Sequence, residues 1–241
     1  MKKQLKHITL WLLVVLAAPA VAQIPSLTSE NTQSDLNRID GKTTGVIYFI
    51  TAEANNNFFL QKDWVTGIIE LEDGTLFRNV RMRYQAHDDE LIVYNNKQRT
   101  LFIIDKETVK SFTVQEGTRV HRFVKLYFDG FGKGERYFRE LYDGTNKLLA
   151  FHFIDEVKIN PYTDRYGMLR DKEYRPAVHY YLYNGKKGFS RLQMKRNSFL
   201  KVYPEHKKEV RKLFRKNHIF ITGEEEMILA MKLLEESGIA N

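Results

Sequence analysis

The sequence predicts an α+β protein: an antiparallel β body followed by helices at the C-terminus. Three observations carry that prediction. Asp73-Gly74, Asp143-Gly144 and Asn184-Gly185 each stand between two apolar runs, as expected of tight hairpin turns. Val80, Met82 and Tyr84 alternate with Arg81 and Arg83, the period of two shown by a half-buried strand. After Lys195 the apolar spacing becomes helical, with Val210, Leu213 and Phe214 on one stripe.

The elements follow in order. Lys2, Lys3 and Lys6 precede a short apolar run, and Ala20-Val21-Ala22 offers small residues where a signal peptidase reads them. Residues 1–22 are therefore expected to be a cleaved signal peptide. Cleavage would leave a mature chain without a transmembrane helix, in the periplasm or secreted. Residues 23–45 are polar and read as a flexible leader. An antiparallel body is expected over 46–197, as two packed sheets or a partly open barrel. Its strands are expected over 46–51, 64–71, 76–84, 91–94, 100–104, 111–114, 120–128, 137–142, 147–157, 178–183 and 189–194. Gly67 lies inside one of them and marks a bulge or a close backbone approach. Residues 162–176 read as a long aromatic and charged loop.

A basic helical segment over 198–241 is expected to pack on that body. Ser198 suits a helix cap, and Thr222-Gly223-Glu224-Glu225 reads as a capping box. Gly238 is the expected stop of the last helix. Met227, Ile228, Met231 and Leu234 are its expected core face, widened by Leu229 and Leu233.

Composition narrows the function classes. The chain has 241 residues and no cysteine, which excludes disulfides, thiolate metal sites, a cysteine nucleophile and a lipidated N-terminal cysteine. Its formal charge is +8, or +5 without the three lysines of the signal peptide. Residues 186–216 hold twelve Lys and Arg against Glu205 and Glu209, a local +10. The rest of the mature chain is then about −5.

The residues Lys62-Asp63-Trp64-Val65-Thr66-Gly67, Leu71-Glu72-Asp73-Gly74, Asn79-Val80, Arg83-Tyr84 and Asp89-Glu90-Leu91 stand together in one meander. This pattern resembles uncharacterised exported proteins of Bacteroidota-type bacteria, which carry a β-rich body and a Lys-rich helical tail. The resemblance implies architecture and compartment. It implies no activity and no functional residues.

Candidate chemistry is sparse. His87-Asp88-Asp89-Glu90 is the densest group of metal-capable side chains, but adjacent carboxylates diverge and no glycine permits a cation loop. It reads as a polar hairpin turn. His152 has no zinc-type spacing to another histidine and reads as a hydrogen-bonded structural residue. Gly130-Phe131-Gly132-Lys133-Gly134 lacks the GK[ST] ending and a following helix, so it reads as a turn. Ser190 and Ser198 lack a nucleophile-elbow setting. No catalytic residue, metal or cofactor is expected.

Two surfaces remain as binding candidates. Tyr162, Arg165, Tyr166, Arg170, Tyr174 and Arg175 interleave aromatics with guanidinium groups, a combination that stacks on rings and pairs with anions. Lys207, Lys208, Arg211, Lys212, Arg215 and Lys216 form one face of a helix and suit an anionic envelope component or an acidic protein. The expected compartment disfavours nucleic acid. The function expected is that of a non-enzymatic binding or structural protein of the cell envelope. The alternative is a hydrolase or lyase acting on envelope glycan, lipid or peptide.

Overall fold

The computed structural model describes residues 44–49, 58–96, 98–130 and 133–240. The expected signal peptide, the leader up to residue 43 and the end of the strand expected over 46–51 lie outside them. Among the described residues, eleven strands form one open antiparallel sheet. They are β1 (Gly45–Ile47), β2 (Val65–Leu71), β3 (Leu76–Gln85), β4 (Glu90–Asn95), β5 (Thr100–Ile104), β6 (Val109–Glu116), β7 (Arg119–Phe128), β8 (Gly134–Tyr142), β9 (Lys147–Thr163), β10 (Leu169–Asn184) and β11 (Gly188–Leu192). The sheet order is β1-β5-β4-β3-β2-β6-β7-β8-β9-β10-β11. Three helices follow: α1 (Arg196–Val202), α2 (Lys207–Lys216) and α3 (Glu224–Glu236).

The expectation of two packed sheets is overturned. β2 hydrogen-bonds to β3 on one side and to β6 on the other, so the two meanders share one continuous sheet. That sheet must curl, because residues 105–108 alone connect β5 to β6, which lie four places apart in it. The inward residues of β2 to β8 fill the curl. Ile69, Val80, Met82, Tyr84, Phe112, Phe123 and Tyr137 form one buried cluster there. Val80, Met82 and Tyr84 share that face, as their spacing predicts. Gly67 permits the β2/β6 contact, since a Cβ at this position would run into the Thr113 carbonyl. The register with β3 also slips between Gly67 and Ile69.

The other half of the sheet is covered by the helices. Leu148 and Ala150 of β9, Tyr180 and Leu182 of β10 and Leu192 of β11 meet Phe199, Val210, Phe214, Met227, Met231 and Leu234. Met227, Met231 and Leu234 take core positions, while Leu229 of the expected wider face is exposed. On the opposite face Phe128, Phe138, Leu149, Phe151 and Tyr181 form a third cluster.

Several local expectations are corrected. Residues 162–176 are not a loop: they are the outer half of the β9/β10 hairpin, turned at 164–168. Pro161 and Pro176 interrupt the apolar pattern there, and prolines are tolerated on ribbon edges that lack a ladder partner. Of the three hairpin glycines only Gly74 has positive φ, at 81°. In the third hairpin the left-handed residue is Gly188, at φ 74°, because the loop is longer than two residues. Gly144 is constrained in a different way. A Cβ at this position would strike the Glu235 carboxylate of α3 and the Tyr142 ring.

The helix caps differ too. Ser198 lies inside α1 and its Oγ accepts from the Gln193 amide at 2.9 Å. The capping box at α3 does not form. Gly223 is the cap residue, and the Glu224 side chain goes to Arg139 and Tyr180. The end of α3 is as expected, with Gly238 at φ 74° and the Ile239 amide bonded to the Leu234 carbonyl at 3.0 Å.

Candidate functional site

The basic face is built on α2. Val210 and Phe214 are completely buried, and the Phe214 ring meets Phe199 at 5.7 Å between centroids. The Asn217 side chain caps the Leu213 carbonyl at 2.9 Å, and His218, at φ 52°, turns the chain away so that buried Ile219 can bond Phe214. These anchors fix the rotation of the helix. Lys207, Lys208, Arg211, Lys212, Arg215 and Lys216 consequently all point to solvent. Among the described residues, no carboxylate stands within salt-bridge distance of any of the six.

Several cations on the β body, by contrast, are paired. Lys106 pairs with Asp89 at 2.7 Å, Lys110 with Glu70 at 2.7 Å, Lys125 with Glu72 at 2.8 Å and Lys172 with Glu156 at 2.7 Å. The α2 face also works against its own helix. Lys207/Arg211, Lys208/Lys212, Arg211/Arg215 and Lys212/Lys216 are like-charge pairs one turn apart. Each such pair destabilises a helix by about 0.2–0.5 kcal/mol. Burial of Val210 and Phe214 offsets this. Beside α2, a cleft of about 590 Å³ opens between the β10–β11 turn and the α1–α2 link, with Lys186, Lys187 and His206 among its lining residues. Its floor includes Asn146, which donates to the Ala240 carbonyl and accepts from Asn184, both at 2.6 Å.

The six-residue tyrosine and arginine surface is split. Tyr174 packs its ring edge on Phe58 at 4.8 Å and near His87 at 5.8 Å, so it belongs to the body. Arg175 is paired with Glu173 at 2.6 Å. Tyr162, Arg165, Tyr166 and Arg170 lie at the far end of the hairpin. There Arg170 pairs with Asp164 at 2.9 Å, and the Arg165 guanidinium stacks over Tyr166 at 4.7 Å.

Two buried polar groups escape a sequence reading. Asp89 is not part of a solvated turn. Its Oδ1 accepts from the Tyr84 hydroxyl at 2.6 Å and the Tyr137 amide at 3.2 Å, and its Oδ2 meets Lys106 at 2.7 Å. Burial pushes the Asp89 carboxyl up, while Lys106 and the Tyr84 and Tyr137 donors pull it back without cancelling the rise. His152 is half-buried as a residue, yet its Nε2 is shut off from solvent without a hydrogen-bond partner. This corrects the hydrogen-bonded reading. Burial, with Arg139 and His121 nearby, lowers its pKa to about 3. Arg139 is bound to Glu224 at the start of α3, and the Tyr180 hydroxyl donates to the same Glu224 oxygen at 3.0 Å. This group ties α3 to the sheet. Among the described residues, no cluster of three or more His, Asp or Glu is placed to hold a metal ion. Also among them, no helix is long and apolar enough to cross a membrane.

No protein-family model, curated protein or solved structure matches this chain.

Proposed function

We propose that this chain is an exported, non-enzymatic binding protein of the cell envelope that holds an anionic component through the basic face of α2. The observation that carries the reading is the contrast in pairing. Lys106, Lys110, Lys125 and Lys172 of the β body meet carboxylates, whereas six adjacent cations on α2 meet none among the described residues. A face that repels itself and is rigidly aimed outward suits an external polyanion better than it suits stability. The cleft beside it brings Lys186 and Lys187, with Glu205 also in its lining. Export rests on the basic start, the short apolar run and Ala20-Val21-Ala22.

The test is retention of the mature chain on an anionic matrix at low salt. The reading expects strong retention that is lost on raising the salt, and loss of retention when Lys208, Arg211 and Arg215 are changed to Glu. A mature chain that passes straight through would defeat it.

A further inference from the structure

The β9/β10 hairpin leaves the body. Ile154 still packs against the β2–β8 core, and Tyr174, paired with Glu156, still touches Phe58. Beyond that pair the strands run on alone to Thr163 and Leu169. From residue 155 to residue 179 no side chain is buried. Seven further residues of β9 face five of β10, with a bulge between Arg170 and Lys172, and give an arm of about 17–23 Å at 3.3 Å per residue.

The arm is not uniform. Its shaft is charged, with Lys158, Asp171 and the pairs Lys172–Glu156 and Arg175–Glu173. Its end is apolar: Tyr162, Tyr166, Met168 and Leu169 are 54%, 73%, 51% and 70% exposed. Only one acid sits in the turn, and it faces inward. Asp164 accepts from the Tyr166 amide at 2.8 Å, the Met168 amide at 3.0 Å and Arg170 at 2.9 Å. Those bonds hold the turn rigid and leave Arg165, stacked on Tyr166, as its outward charge.

We propose that the tip of this arm docks into the headgroup layer of an anionic bilayer. Tyrosine and arginine are the side chains that settle at that depth, with ring or stem in the apolar zone and polar end in water. Met168 and Leu169 supply apolar area beside them, and Arg165 supplies the charge complementary to anionic lipid. The depth is limited by the backbone. Both edges of the ribbon carry unpaired N–H and C=O groups that must stay hydrated, so the turn enters and the shaft does not. A protein partner adding a strand would use the shaft edges, and those bear charges. The proposal does not depend on the basic face of α2, because the two surfaces are separate.

The absence of cysteine makes the test direct. Met168→Cys and Lys172→Cys, each in the full mature chain, would carry a polarity-sensitive fluorophore. Vesicles of zwitterionic lipid, with and without phosphatidylglycerol, are the probe. The label at residue 168 should brighten and shift to the blue with the anionic vesicles, while the label at residue 172 stays as in water. The shift should persist when Lys208, Arg211 and Arg215 are changed to Glu. Changing Tyr166 and Leu169 to Ser should weaken vesicle binding by about tenfold or more, because two large side chains no longer bring apolar area to the bilayer. A label at 168 that stays aqueous on vesicle-bound protein would overturn the proposal. So would a blue shift that follows protein concentration without lipid, which would place a second copy at the tip.

Discussion

The Tyr84 hydroxyl donates a 2.6 Å hydrogen bond to Oδ1 of Asp89, across the β3–β4 turn. Asp89 holds that turn against β8 through the Tyr137 amide and against the 105–108 link through Lys106. Its backbone sits at φ 58°, a left-handed position that aspartate tolerates better than most residues. The curl of the sheet thus closes on one carboxylate. Asp89→Ala leaves Lys106 without its partner and Tyr84 without its acceptor. The expected loss is about 3 kcal/mol, at the low end for breaking a buried pair. Tyr84→Phe removes one donor and should cost about 1.5 kcal/mol. Urea unfolding of both variants checks the order, and an equal, small effect would mean that Asp89 is not the hub.

The hairpin glycines should separate. Gly188 is at φ 74°, so Gly188→Val should cost about 1 kcal/mol or more. Gly185 does not have positive φ and has open space around it, so Gly185→Ala should change stability by less than about 0.5 kcal/mol. Gly144→Ala should destabilise by displacing Glu235, which otherwise binds Thr145 at 2.9 and 2.8 Å and the Tyr142 hydroxyl. Melting curves of the three variants test this ranking. It fails if Gly185→Ala is the worst of them.

Much of the fold is legible because exposure differs between the two sides of an element. Val80, Met82 and Tyr84 alternate with exposed Arg81 since one side of β3 is dry, although Arg83 is covered too, its guanidinium over the Phe59 ring and bonded to the Gln61 carbonyl. Val210 and Phe214 stand out against a basic helix for the same reason. The β9/β10 arm is illegible because neither of its sides is buried, so no period of two develops. Asp89 is illegible for another reason. Lys106 lies 17 positions away and Tyr137 lies 48 away, and nothing in a polar turn announces such partners. The basic residues of α2 are plain in the sequence, but the absence of a carboxylate beside them among the described residues needed the packing.

Stability should fall with acid through His152. The native state keeps it neutral down to about pH 3, while in the unfolded chain it takes up a proton below its ordinary 6.5. Unfolding therefore binds a proton between those values. Its contribution is complete above pH 6.5 and is lost as pH falls toward 3, by up to about 1.4 kcal/mol per pH unit. His121, also lowered by burial and by Arg139, acts in the same direction. Denaturation midpoints followed from neutral to acid pH should show a shallower decline in His152→Gln. Identical slopes for parent and variant would count against this account.

Phe214 and Val210 are the anchors that aim the basic face. Phe214→Ala should cost about 3 kcal/mol or more, as removal of a fully buried ring does. Lys208→Glu, Arg211→Glu and Arg215→Glu together should alter the melting temperature little, because all three are solvent-exposed. Calorimetry of the two variants checks the pair of expectations. A Phe214→Ala protein as stable as the parent would mean that α2 is not held by that ring.

The most direct measurement is the salt dependence of the mature chain's affinity for an anionic surface, taken for the parent and for the triple variant at Lys208, Arg211 and Arg215. Cations that release counterions on binding give an affinity that falls steadily with salt, and at 0.1 M exposed charges more than about 10 Å apart are largely screened. The account predicts a steep decline for the parent and a much shallower one for the variant, with weaker binding at low salt. Equal affinities and equal slopes for the two proteins would contradict it.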